Sequence, residues 1–291
     1  MTARFALQQL QQFTLAATLA ATSFLVGCST TGSDRPNPLL ALAQGEDQGN
    51  FSIAYRPVEQ SAELTALKQI LQTSGTYEAT ITDLNAALSL PEDVKIEFLQ
   101  CGSEDAYYDP NRRSITLCYE LIQRYTKALG SDDGSLETAA LHAGLFTLFH
   151  ELGHALIDVL ALPITGREED TADEFAAVML LWSGQGEATL SGAEQFAVDA
   201  EEWEAVPYWD EHGTDMQRYY NIACYVYGSD SQRWQDLIGP DRLPEERAEL
   251  CAEDYWRKSN SWNQLLAPYL KRQIELTALN ETILRNAQRG F

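Results

Sequence analysis

The pentapeptide His150-Glu151-Leu152-Gly153-His154 constrains this chain more than any other feature. It sits inside LFTLFHELGHALIDVL, whose apolar residues recur at helical spacing. Residues four apart share one helix face, so His150 and His154 can offer two imidazoles to a single ion. Glu151 projects beside them, where it can take a proton from the water such an ion activates. Two histidines do not complete a hydrolytic zinc site, which needs a third protein ligand and an open position for water.

The best source of that ligand follows the helix breakers Pro163 and Gly166. In GREEDTADEFAAVML a further helix is expected from near Arg167 to Trp182. Glu169 and Asp173 are spaced i, i+4 and share a face of it. Their neighbours Glu168, Asp170 and Glu174 have a plainer reading as helix N-terminal acids favoured by the macrodipole, on a solvated face. Ala172 and Phe175-Ala176-Ala177 are expected to pack this helix antiparallel against the first.

HExxH followed by ExxAD resembles the gluzincins, including the membrane CAAX-prenyl endopeptidases, though no spanning helices are found here. The resemblance implies one zinc ion held by His150, His154 and Glu169. It makes Asp173 the acceptor that fixes the tautomer of a zinc-bound imidazole. It also implies that His212, oriented by Asp210 or Asp215, stabilises the tetrahedral oxyanion. Tyr219 and Tyr220 are rivals for that role, and a surface histidine capping a helix is the plainer alternative. The metzincin extension would need Gly at 157 and His at 160, where this chain has Ile157 and Leu160. The aspzincin motif GTxDxxYG is nearly met by Gly213-Thr214-Asp215-Met216, which makes Asp215 a rival third ligand.

More closely, four stretches are similar to a bacterial family of uncharacterised metallopeptidases. They are AYYDPNRRSITLCYEL, LFHELGHALIDVLALPITGREEDTADEFA, DEHGTDMQRYYNIACYVYGSD, and LPEERAELC with the later Trp262. Together they span most of residues 94 to 268. Glu104-Asp105 departs from the Asn that this family is expected to favour before AYYDP.

The rest of the chain supplies the frame. Strands are expected over Phe51–Pro57 and Val94–Leu99, with helices over Ala62–Gln72 and Tyr77–Leu88. A hairpin runs from Asp105 to Tyr108 and from Ser114 to Tyr119 around the turn Asp109-Pro110-Asn111-Arg112. The second hairpin strand is either the edge to which an extended peptide adds or a buried structural strand. Helices follow over Leu121–Ala128, Leu136–Leu160 and nearly everything after Ser191. Strands first and helices afterwards is an α+β arrangement. With the motif resemblance, it is zincin-like, with a small N-terminal β-containing lobe and a largely helical C-terminal lobe.

The first residues bear on compartment. Arg4 and an apolar run from Phe13 to Val26 suit a signal peptide, the run being too short to span a bilayer. Its end, Leu25-Val26-Gly27-Cys28, resembles the bacterial lipobox, which implies cleavage before Cys28 and lipid attachment there. Residues 1–27 are thus expected as a lipoprotein signal peptide, 28–50 as a flexible tether rich in Ser, Gly and Pro, and 51–291 as the folded domain. Cys101, Cys118, Cys224 and Cys251 remain, an even number in an exported chain, with local pairing 101 to 118 and 224 to 251 expected.

A formal charge of −23 excludes nucleic acid as a partner, because nothing here would neutralise a phosphate backbone. The expected partners are a peptide or protein substrate and, through the lipid, the membrane of the bacterial envelope. The leading expectation is a zinc-dependent peptidase with Glu151 as general base. One alternative is an idle zinc-binding lipoprotein that holds an envelope partner. Another is a zinc amidase acting on cell wall.

Overall fold

A computed structural model describes residues 47–129, 136–202, 209–239 and 242–271. The expected signal peptide, Cys28 and most of the tether lie outside those residues. The last tether residues are already joined to the body: the amides of Gln48 and Gly49 both donate to the Leu90 carbonyl at 2.9 Å, and that of Asn50 to Asp93 Oδ1 at 2.8 Å.

Phe51–Tyr55 forms β1, and the chain returns through α1 (Ala62–Ser74) and α2 (Thr76–Ala87) to β2 (Val94–Leu99). Ser61 caps α1 by accepting from the Leu64 amide, and Gly75, at φ 65°, supplies the left-handed turn between the two helices. β2 pairs parallel to β1 on one side and parallel to β4 (Ser114–Cys118) on the other. β3 (Ala106–Asp109) pairs antiparallel to β4, so the sheet order is β1-β2-β4-β3.

This order decides the question left open for the second hairpin strand. β4 is interior and every residue of it is buried, so it is structural. Its run Ser-Ile-Thr-Leu-Cys has the composition of a strand covered on both faces. The edge strands are β1 and β3; β3 joins β4 through the Asp109–Arg112 turn, where Asp109 Oδ1 accepts from the Asn111 amide at 2.9 Å.

The remaining described chain is helical: α3 (Tyr119–Ala128), α4 (Leu136–Val159), α5 (Glu168–Trp182), α6 (Gly186–Glu202), α7 (Asp215–Ser229) and α8 (Glu245–Leu266). The molecule is α+β as expected, but the strand-bearing and helical parts are not separately cored. One buried apolar cluster runs from Phe98 on β2 through Phe146 on α4 to Phe175 on α5 and Trp262 on α8. α4 is its axis, touching β3, β4, α3, α5 and α6.

Both disulfides form with the local pairing. Cys101–Cys118 pins the β2–β3 connection to the end of β4, and Cys224–Cys251 ties α7 to α8. Closing loops of 17 and 27 residues contributes roughly 3 to 3.5 kcal/mol each in the chain-entropy account. No helix among the described residues is long and apolar enough to cross a membrane.

Candidate metal centre

α4 presents His150, Glu151 and His154 toward the first turns of α5. The close approach depends on Gly153, since a Cβ there would stand 3.0 Å from Ala172 Cα. α5 starts at Glu168 because Pro163 and the left-handed Ala161 (φ 48°) end α4 and turn the chain back. Its first turn carries Glu168, Glu169 and Asp170, which the exposed helix amides favour.

Among the described residues one group of metal-type side chains gathers: His150, His154 and Glu169, with all three ligand atoms within 4.8 Å of one another. His150 Nε2 lies 3.3 Å from His154 Nε2 and 3.1 Å from Glu169 Oε2, and His154 Nε2 lies 3.4 Å from that oxygen. Two donors on one tetrahedral ion, each bonded at roughly 2.0–2.1 Å, stand about 3.4 Å apart. The observed separations fit such an ion, and so does a set of two imidazoles and one carboxylate.

The far nitrogens of both imidazoles are held by carboxylates from α5. His150 Nδ1 donates to Asp173 Oδ1 at 2.8 Å, and His154 Nδ1 to Glu168 Oε1 at 2.9 Å. A proton fixed on Nδ1 leaves Nε2 with its lone pair toward the ligand cluster. Asp173, which the motif resemblance makes the acceptor for a zinc-bound imidazole, is placed on His150 Nδ1. The sequence reads Glu168 only as a helix-terminal acid; its contact with His154 arises because α5 begins at Glu168, one residue before Glu169.

Arg218 was missed altogether. From α7 it grips Asp173 with two bonds, Nε to Oδ2 at 2.7 Å and Nη2 to Oδ1 at 2.8 Å, while its guanidinium lies 3.8 Å from the Phe196 ring centre. A signal was available: Arg218 stands four residues before buried Ile222, inside the apolar stripe of its own helix.

The charges reinforce one another. Against the upward push of burial, hydrogen bonds from His150, His154 and His212 hold the Glu169 carboxyl far below the usual range. Burial likewise opposes, but Arg218 and then His150 hold Asp173 below its ordinary value. Burial works to lower His154, yet bonds to Glu169 and Glu168 raise it to about 9 in the metal-free protein. Burial pushes the Glu151 carboxyl up, opposed by the two histidines and aided by Glu169 and Asp105.

His150, Glu151, His154, Glu168 and Glu169 line a cleft of about 580 Å³. Ala106, Tyr107, Tyr108 and Pro110 form the strand wall, and α4 and α5 form the other. His212 closes one side: its Nε2 lies 2.9 Å from Glu169 Oε2, and Nδ1 lies 2.9 Å from Asp210 Oδ1. Its two rivals are elsewhere, Tyr219 buried in the core and Tyr220 in a separate cleft behind α5. Asp215 opens α7 just after its capping residue Thr214 and is outside the ligand cluster.

Residues 55–266 match a protein family described as "Putative metallopeptidase". No curated protein and no solved structure matches the chain.

Proposed function

The chain belongs to that metallopeptidase family, and from this premise we propose that it is a zinc-dependent, zincin-like peptidase held at the bacterial cell envelope by lipid on Cys28. The observation that carries the reading is the convergence of His150, His154 and Glu169 beside buried Glu151 at the foot of an open cleft. His150, His154 and Glu169 would hold the ion, which when bound lowers the pKa of water and polarises the scissile carbonyl.

Glu151 acts as the base that takes the proton of the attacking water and passes it to the leaving amine. Burial suits it to that work, because a raised carboxyl holds a transferred proton better than an exposed one. His212 donates from Nε2 to the developing oxyanion, oriented through Nδ1 by Asp210. Its imidazole is already aimed at the Glu169 ligand oxygen, the side of the cluster that faces the cleft. The edge strand β3 runs along the same cleft, so an extended substrate can add to it backbone to backbone.

The envelope location rests on the lipobox-like Leu25-Val26-Gly27-Cys28. The two disulfides support it, because such bonds persist in oxidising compartments.

Metal analysis combined with a peptide-library digest tests the function. The native protein is expected to carry one zinc and to cleave peptides that Glu151→Gln, still zinc-loaded, spares, with a loss of at least roughly a hundredfold. Stoichiometric zinc without any cleavage would favour the partner-binding alternative. In the same digest His212→Ala is expected to keep its zinc and lose about 10²-fold in kcat. Loss of zinc instead would make His212 a ligand.

A further inference from the structure

The cleft has a feature that the proposed chemistry does not use. Its lining includes four carboxylates and no lysine or arginine. Glu169 belongs to the ligand cluster, Glu168 is spent on His154, and Glu151 is the base. Asp158 is left over. It lies four residues after His154 on the same face of α4, about 6 Å further along the helix axis. It is exposed, and among the described residues no cation pairs with it.

A side-chain hydrogen bond fixes the direction of its carboxylate. Tyr108, on the edge strand across the cleft, donates its hydroxyl to Asp158 Oδ2 at 2.8 Å. That bond holds the carboxylate in the cleft mouth and leaves Oδ1 for another donor. The cleft wall beside it includes Ile157 and Pro110, which are apolar. Such walls suit the methylene stem of a long basic side chain, whose cationic head would then meet the Asp158 carboxylate. The excess of 43 acidic over 20 basic residues would draw a cationic peptide toward the molecule from a distance.

We propose that Asp158, positioned by Tyr108, forms a subsite for a lysine or arginine side chain of the substrate, next to the scissile bond. The proposal rests on the peptidase reading and gives its substrate class: peptides with a basic residue beside the cleaved bond.

The test uses N-acetylated peptides that carry Lys, Gln or Glu at each position flanking the cleaved bond. At one of these positions the native protein is expected to prefer Lys to Gln in kcat/KM. Asp158→Asn is expected to reduce that preference by about tenfold, and Asp158→Lys to turn it toward Glu. A Lys-to-Gln ratio unchanged in both variants overturns the subsite. A preference that appears only with free, unacetylated N-termini also overturns it, because the cation recognised is then the α-amino group.

A binding arm keeps the two readings apart. Fluorescence anisotropy of labelled Lys and Gln peptides on the zinc-loaded Glu151→Gln protein reads the subsite without turnover. If the native protein cleaves nothing, the peptidase reading falls, and the binding ratio still decides the subsite. If Glu151→Gln abolishes cleavage while the Asp158 variants leave the ratio untouched, the subsite falls and the peptidase reading stands.

Discussion

Glu169→Gln is expected to weaken zinc binding by 10²- to 10⁴-fold, roughly, with little change in the metal-free fold. The magnitude follows from sharing an apparent binding energy of about 10–16 kcal/mol among three protein ligands, so that each supplies roughly 3–5 kcal/mol. Gln keeps the size of Glu but removes the charge on which three imidazole nitrogens converge. Competition with a chromogenic chelator measures the loss. If Asp215→Ala released the ion and Glu169→Gln did not, the third ligand would be Asp215. The same titration has a pH arm. In the metal-free protein His154 is raised to about 9, so protons compete with the metal below that value. Affinity should therefore climb as pH rises toward about 9, by about tenfold per pH unit for each imidazole proton displaced. A flat profile would mean that the imidazoles are already neutral in the free protein.

What was legible in the sequence was what has a period or a fixed spacing. HELGH and ExxAD each place two groups one helical turn apart, and the structure brings the two pairs together because Gly153 and Ala172 let the helices touch. The hairpin turn and both disulfides were equally local, whereas strand ends shift by one or two residues: Phe51–Pro57 closes at Tyr55, and Ser114–Tyr119 closes at Cys118, where α3 begins. The rest depended on which segments become neighbours. Whether Ser114–Cys118 lies at the edge or inside the sheet is set by its parallel pairing with β2, and no pattern within the segment alone decides it. The bond from Tyr108 to Asp158 spans 50 residues, and the Arg218 grip on Asp173 spans 45. The Glu168 contact with His154 was hidden for a different reason. Several acids crowd that helix start, and only its exact register tells which of them faces the ligand cluster.

Arg218→Met should show how much rests on that distant grip. Asp173 is buried and Arg218 nearly so, with side chains 8% and 12% exposed, and Asp173 is bonded to His150 as well. Removing the guanidinium leaves a buried carboxylate with one partner, a change that costs about 3–5 kcal/mol of fold stability. Urea unfolding of the metal-free protein is the measurement. Arg218→Lys should fall in between, because an ammonium keeps the charge but loses the paired geometry. The double variant Arg218→Met with Asp173→Asn should recover part of the stability, since the orphaned charge is gone. It should not recover the metal site: without the ionised Asp173, His150 loses the acceptor that fixes its tautomer, and zinc affinity stays about 10- to 100-fold low. Fold stability and metal affinity would then separate in one set of proteins, as expected if Arg218 acts on the ion through Asp173. If Arg218→Met instead unfolded within about 1 kcal/mol of the native protein, the buried pair would not have the energetic weight that its geometry implies.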